Sequence, residues 1–114
     1  MSKTFGEALR DFRRAAGMSQ RELAKKANLD FSYISKMEND RIPPPAADTI
    51  VVICAILSIQ PEELLAITGK IPSDIKADIS TSKAGQEFLR VVNEMKLSES
   101  EWSKIIKSLK ELRK

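Results

Sequence analysis

The sequence predicts an all-α protein, with five helices in residues 1–70 and a helical hairpin in residues 83–114. One observation behind this prediction is that apolar residues recur every three or four positions, the spacing of helices with one buried face. Another is a set of capping boxes, in which a Ser or Thr and a Glu three residues later satisfy backbone N–H groups at a helix start. Such boxes begin at Thr4, Ser19 and Ser98.

The first predicted helix follows Thr4 and ends near Ala16, because Gly17 stops helices readily. Its apolar residues are spaced so that they share one side of the helix. This side should brace the helices that come next, and it consists of Phe5, Leu9 and Phe12.

Residues 19–39 contain two further short helices joined by a tight turn. The first begins at Gln20, and its apolar stripe is narrow enough for another helix to approach closely. Asn28 tolerates the left-handed backbone that the turn requires, and Asp30 is a suitable N-cap for a second helix starting at Phe31. The narrow stripe is made of Leu23, Ala24 and Ala27.

The second helix of this pair has two different faces when its residues are placed about 100° apart. Ile34 and Met37 point inward together with Glu38. An inward carboxylate needs a cationic or hydrogen-bonding partner, and Arg13 of the first helix is the predicted one. The opposite face holds no acidic residue and carries Ser32, Ser35, Lys36 and Asn39, flanked by Phe31 and Tyr33. Such a face can meet nucleic acid.

Residues 40–70 are expected to complete the five-helix domain. Three prolines at 43–45 remove backbone donors and fix an extended path, which predicts a rigid connector. Residues 46–57 are apolar on nearly every side, as in a helix buried in the middle of a small bundle. Pro61 suits the first position of a fifth helix, which should end near Gly69.

Residues 71–82 form the predicted connector, and its polar end at 80–82 serves either as a hinge or as the cap of the next helix. The two helices of residues 83–114 each carry an apolar stripe. So short a segment cannot bury both stripes alone, and they must pack on the preceding helices or on another molecule. The stripes contain Phe88, Leu89, Val92 and Met95 in one helix and Trp102, Ile105, Ile106, Leu109 and Leu112 in the other.

The central residues of the chain resemble a known family. The run from Gly17 to Asn39, GMSQRELAKKANLDFSYISKMEN, is similar to the helix-turn-helix of the Xre-like group, which includes the phage lambda-type and Cro repressors. The match rests on the Gln after the cap, the small Ala in mid-helix, the hydrophobic turn residue and the Ile-Ser-x-x-Glu-Asn ending. Asp40 departs from the glycine common at the next position, and Asp enters left-handed dihedrals more easily than most residues. The resemblance covers residues 4–69 and implies a lambda-repressor-like DNA-binding domain.

This resemblance also implies which residues contact double-stranded DNA. Residues expected to read base edges in the major groove are Phe31, Ser32, Ser35 and Lys36. Lys36 can donate to guanine O6 and N7, and Phe31 can touch a thymine methyl group. Residues expected to hold phosphates and fix register are Gln20, Arg21, Tyr33, Asn39 and Arg41. The function implied is a transcriptional repressor that binds a near-palindromic operator as a dimer, with half-sites about 34 Å apart.

Two uses of the hairpin stay open. Self-association into a homodimer is favoured, because DNA readers of this type gain affinity from two-fold symmetric half-sites. The alternative is an antitoxin-like or peptidase-controlled interaction module whose C-terminal helices bind a protein partner. The segment LLAITGKIP at residues 64–72 resembles regulators often encoded beside a zinc metallopeptidase of mobile elements. A regulatory partner of this kind would be a metallopeptidase or a toxin.

Charge alone supports nucleic-acid binding only weakly. The net charge of +3 is divided into +3 for residues 1–45 (nine Lys/Arg against six Asp/Glu), −2 for residues 46–72 (one against three) and +2 for residues 73–114 (nine against seven). The helix-turn-helix segment lies in the most basic part. The asymmetry is modest, and without the motif an ordinary solvated surface would explain it.

Composition sets several other functions aside. The chain has no apolar run of about 18 residues and no secretion signal, so a cytoplasmic, nucleoid-associated protein without a membrane partner is expected. With no histidine and only Cys54, the usual zinc sites and nucleophile–base pairs cannot be assembled. Neither a cofactor nor enzymatic activity is therefore expected, and Cys54 is interpreted as a small core residue.

Overall fold

All regular elements in the computed structural model, which describes residues 2–114, are helices. The chain forms two compact units, one that ends at Ile75 and one of Lys76–Lys114. The all-α class predicted from the sequence is confirmed. The eight helices in these residues are α1 (Phe5–Ala15), α2 (Gln20–Ala27), α3 (Phe31–Glu38), α4 (Ala47–Leu57), α5 (Glu62–Thr68), α6 (Ser73–Ser80), α7 (Lys83–Met95) and α8 (Glu99–Glu111).

Helix starts follow the capping signals of the sequence. The boxes at Thr4, Ser19 and Ser98 are complete, each with reciprocal bonds to the Glu three residues later. Asp30 occupies the N-cap of α3 with extended dihedrals, but its side chain makes no capping hydrogen bond, contrary to the prediction. Asp30 is exposed, so water can solvate its carboxylate without a backbone partner.

The core of the first unit is built from α1–α5. Helix α1 packs on α3 and α5, while α2 packs on α3 and α4. Cys54 is buried among aliphatic side chains, as expected, and burial, together with the nearby Glu62 and Glu63 carboxylates, raises the pKa of its thiol to about 11. The residues of this hydrophobic cluster are Phe5, Ala8, Leu9, Leu23, Ala24, Ile34, Met37, Ile50, Ile53, Cys54, Leu57 and Leu64.

Helix α4 differs from the expectation of burial on every side. Ile50, Ile53 and Cys54 are fully buried, whereas the Val52 side chain is 49% exposed. Helix α4 therefore has more apolar residues than its neighbouring helices can cover. The hydropathy of a side chain does not show how many helices surround it, and the prediction was wrong for the face that carries Val52.

The segment that follows α5 contains a regular helix. Gly69 ends α5 in a left-handed conformation (φ 69°), and α6 begins at Ser73. The Asp48 carboxylate of α4 accepts hydrogen bonds from the Ser73 amide (3.0 Å) and hydroxyl (2.6 Å), and these bonds lower the pKa of Asp48. The start of α6 is therefore stabilised by Asp48, which lies 25 residues earlier in the chain. Local sequence patterns cannot predict such a contact.

No residue of the second unit is buried, and its least exposed residues, among them Val92 and Ile105, are half-buried. Ser82 caps α7 by accepting the Gly85 amide at 3.0 Å, and the capping box of Ser98 begins α8. No helix in residues 2–114 has the length and apolarity needed to cross a bilayer. The large apolar side chains exposed in α7, α8 and the residue after α8 are Phe88, Leu89, Met95, Trp102, Ile106, Leu109 and Leu112.

The start of α1 is held against the end of α3. Asp40 has left-handed dihedrals (φ 55°), as its sequence position suggested, and its carboxylate accepts the Thr4 hydroxyl (2.6 Å) and the Gly6 amide (3.0 Å). Gly6 is packed so closely that a Cβ atom there would lie 2.4 Å from the carbonyl oxygen of Met37. A side chain at residue 6 would therefore push α1 away from α3.

Replacing Gly6 with Ala is expected to lower the free energy of unfolding by about 1–3 kcal/mol, because the added methyl overlaps backbone that cannot move freely. Urea denaturation followed by circular dichroism measures this change. Arg14→Ala, at an exposed site on the same helix, is the control and should change stability little. Equal stability of Gly6→Ala and the native protein would contradict the close approach.

Candidate nucleic-acid interface

Helix α3 presents one face to the core and one to solvent. Ile34, Met37 and Glu38 are buried at its inward side, against α1 and α2. The turn before α3 is possible because Asn28 adopts a left-handed conformation (φ 55°), and Leu29 packs against the core from within the turn. The outward face of α3 is thereby fixed relative to α1 and α2.

Glu38 is the buried charge that sets this orientation, since its side chain has no exposed surface. Arg13 of α1 donates from Nε to Oε2 at 2.5 Å and from Nη2 to Oε1 at 2.8 Å. Gln20, the first residue of α2, donates from Nε2 to Oε1 at 2.9 Å. The remaining nitrogen of the Arg13 guanidinium, Nη1, donates to the Met18 carbonyl at 2.8 Å. One carboxylate thus joins α1, α2 and α3.

The ionisation of this pair follows from its contacts. Burial by itself raises the pKa of Glu38, but the hydrogen bonds from Arg13 and Gln20 outweigh it and hold the pKa below its ordinary value of 4.5. The bond to Glu38 raises the pKa of Arg13. Because the folded pKa of Glu38 is depressed, its contribution to stability is present above pH 4.5 and is lost as the pH falls through the folded value.

A second group of bonds holds the end of α3. Arg10 of α1 donates from Nη2 to the Glu38 carbonyl (3.2 Å) and to Asn39 Oδ1 (2.9 Å). Asn39 Nδ2 in turn donates to the Ser35 carbonyl at 2.9 Å. Sequence reasoning missed Arg10, although a signal was present. Arg10 lies three residues before Arg13, and that spacing places both cations on one side of α1.

The residues expected to read bases share the outward face of α3. Phe31, Ser32 and Lys36 are exposed, and Ser35 is half-buried. Helix α3 has a single carboxylate, Glu38, and it is paired in the interior, so the outward face presents no negative charge of its own. A phosphate-bearing ligand would meet no repulsion from this helix.

The residues expected to hold phosphates have more varied surroundings. Arg21 in α2 and Arg41 in the segment after α3 are exposed, while the ring of Tyr33 packs against the edge of the core. Gln20 and Asn39 are engaged in the networks around Glu38. A primary amide has two N–H donors, and each of these side chains uses one of them inside the protein.

Arg21 and Phe31 form a contact that the sequence did not suggest. The guanidinium carbon of Arg21 lies 4.4 Å from the centroid of the Phe31 ring, over its face. Arg21 is the second residue of α2 and Phe31 the first of α3, so the contact bridges the two helices of the motif. The Phe31 ring remains 40% exposed.

Replacing Arg13 with Met is expected to cost about 3–5 kcal/mol of unfolding free energy, because it leaves the Glu38 carboxylate buried without its main cation. Arg14→Met, at the exposed neighbouring position, should cost far less. Adding Glu38→Leu to Arg13→Met should recover much of the loss, since the uncompensated charge is then gone. Urea denaturation of the native protein, the single variants Arg13→Met and Glu38→Leu, and the double variant measures the coupling, and a purely additive double variant would contradict it.

Comparison with known proteins agrees with this geometry. The model of the helix-turn-helix domain family matches residues 4–67. The HTH-type transcriptional regulator RghRB of Bacillus subtilis (strain 168), described as uncharacterized, is 35% identical over 75 residues, which are 63% of this chain and 54% of the relative. The chain therefore spans about half the length of that curated relative.

Two solved structures share the fold. The crystal structure of SinR, the master regulator for biofilm formation, in complex with DNA matches with a TM-score of 0.52 and 29% identity, over 54% of this chain and 98% of that chain. The SinR protein/SinI protein complex matches with a TM-score of 0.53 over 94% of this chain and 95% of that chain, and at 20% identity it indicates the fold alone. Because the family match spans more than half of the chain, the protein belongs to the helix-turn-helix domain family, and its resemblance to the Xre-like group is confirmed.

Proposed function

We propose that this chain is a sequence-specific repressor that binds a near-palindromic operator as a dimer, each copy laying α3 in a major groove. The observation that carries the proposal is the difference between the two faces of α3. Its one carboxylate, that of Glu38, is paired with Arg13 in the interior, and hydrogen-bonding side chains face outward. The chain shares its fold with SinR, whose solved structure is a complex with DNA, and this likeness supports DNA binding.

In this proposal the outward residues of α3 read base edges. Lys36 is exposed and long enough to reach guanine O6 and N7, and Ser32 is exposed beside it. Ser35 contributes less, because it is half-buried. Phe31 offers its exposed ring to a thymine methyl group. Four contacts from one helix specify only a few base pairs, so operator recognition requires a second copy.

Phosphate contacts hold the complex in register. Arg41 brings a charge to one side of α3. Gln20 and Asn39 each retain one amide N–H beyond the bond made inside the protein, and that N–H is proposed to donate to a phosphate oxygen. A phosphate bound there would be linked through Gln20 to Glu38, so backbone contact and helix orientation would support each other. Tyr33 is placed less favourably, because its ring packs on the core edge.

The segment of α7 and α8, which the sequence predicts to be a helical hairpin, is the proposed dimer interface. Its apolar side chains are arranged in stripes and remain exposed, with Leu109 at 59% and Ile106 at 50% exposure. A second copy of the hairpin would cover these stripes with the same apolar surface, in the isologous manner of two-fold dimers. The alternative use of the same exposed stripes is an antitoxin-like or peptidase-controlled module, in which they bind a different protein.

Selection of bound sequences from random DNA with the full chain tests the proposed function. An enriched, near-palindromic sequence with half-sites about one helical turn apart is expected. It reports binding, symmetry and spacing in one experiment. Failure to enrich any sequence would contradict sequence-specific recognition.

Replacing Lys36 with Ala is expected to weaken binding to the selected operator by about 1–3 kcal/mol and to relax the preference at one base pair. Arg41→Ala is the matched comparison, because it also removes one exposed cation near α3 but is proposed to contact a phosphate. It should weaken all sequences alike and reduce the salt dependence. Titrations against every single-base variant of the operator measure both effects. An unchanged base preference in Lys36→Ala would contradict the proposed contact of Lys36 with a base.

Removing residues 83–114 is expected to convert the dimer to a monomer and to lower operator affinity, because one copy then binds one half-site. In the full chain, Ile106→Glu should have the same effect by placing a charge in the apolar stripe. Ser100→Glu adds the same charge on the opposite side of α8 and should leave the dimer intact. Analytical ultracentrifugation measures the mass of each. An unchanged mass after the deletion would exclude the hairpin as the dimer interface.

A further inference from the structure

Arg21 and Phe31 combine two chemistries at one exposed position. The 4.4 Å separation places the cation over the negative face of the ring, a favourable cation–π arrangement. Such a contact uses the charge of the guanidinium and not its N–H groups, which remain available as donors. None of the ion pairs found in residues 2–114 involves Arg21. The two side chains therefore present an apolar ring edge and a set of donors side by side.

We propose that Arg21 and Phe31 form one reading unit, which selects a thymine directly beside a guanine in the operator. Phe31 contacts the thymine methyl group, and Arg21 donates to guanine O6 and N7. This inference rests on the proposed DNA-binding function and deepens it. It replaces the phosphate contact that the sequence suggested for Arg21 with a base contact.

The distances fit two neighbouring base pairs. Successive base pairs are about 3.4 Å apart along the helix axis, and the guanidinium carbon is 4.4 Å from the ring centroid. Two groups at that separation can reach adjacent steps of the groove. A thymine is the base with a methyl group in the major groove, and guanine is the base that offers two acceptors to the planar fork of arginine.

The contact of Arg21 with the Phe31 ring favours base reading more than phosphate binding. Phosphates repeat along the backbone whatever the base sequence, so a phosphate-holding side chain can find a partner in more than one position. A bidentate contact with guanine needs one orientation of the guanidinium, and a flexible side chain loses rotamer freedom in adopting it. The Phe31 ring restricts Arg21 before DNA arrives and so reduces that loss.

The test uses the full chain and the operator obtained by selection. Substituting uracil for the thymine removes only the methyl group, and substituting 7-deazaguanine for the guanine removes only the N7 acceptor. Each is expected to weaken binding about ten-fold. For the Arg21→Ala variant, replacing the guanine with 7-deazaguanine should not weaken binding further, because the side chain that contacts N7 is absent. The Phe31→Leu variant keeps an apolar side chain but lacks the ring, and its preference for guanine should fall in addition to its preference for thymine.

Lys26→Ala is the matched control, since it removes one exposed cation from the same helix on a different side. It should leave the preferences for thymine and guanine unchanged. The reading unit is overturned if Arg21→Ala weakens all sequences equally, if Phe31→Leu keeps the full preference for guanine, or if the selected operator has no adjacent thymine and guanine. These outcomes leave the proposed function intact, whereas selection that enriches no sequence overturns both.

Discussion

The carboxylate of Glu38 constrains the first unit more than any other polar group. It lies with no exposed surface at the junction of α1, α2 and α3, where an unpaired charge would be severely destabilising. Arg13 supplies two donors to it and Gln20 a third, so the charge is tolerated in one arrangement of the three helices. Such a pair adds little net stability over apolar packing, but it discriminates against other arrangements. Its effect is on the orientation of α3.

That orientation determines what the protein presents to solvent. Successive helical residues are about 100° apart, so rotating α3 by one position would carry Ile34 out of the core and turn Ser35 or Tyr33 into it. At the end of α3, Arg10 bonds the Glu38 carbonyl and Asp40 bonds the start of α1, which prevents such a rotation. At the start of α3 the contact with α2 is the stack of Arg21 on Phe31. The end of the helix is anchored in the interior, and its start remains accessible to a ligand.

The parts of this arrangement that sequence could predict are those encoded locally. Capping boxes place a Ser or Thr three residues from its Glu, and the starts at Thr4, Ser19 and Ser98 were predicted correctly. An inward carboxylate signals the need for a cation in the same way. Gln20 and Arg10 reach Glu38 from 18 and 28 positions away in the sequence. The spacing of Arg10 and Arg13 shows that they share a side of α1, but it does not show that this side meets α3. The start of α6 on Asp48 and the stack of Arg21 on Phe31 were missed for the same reason.

The two units differ in how far they bury their apolar side chains, and this difference affects how DNA binding could be regulated. The first unit buries its large aliphatic side chains among α1–α5, whereas no side chain of Lys76–Lys114 is buried. In the proposed dimer, the stripes of α7 and α8 become buried only when two copies meet. Once joined, the second copy binds its half-site at a high effective concentration, so operator affinity rises without any new base contact. Occupancy of the operator would then depend steeply on protein concentration, and a competing partner for the hairpin would release DNA without touching α3.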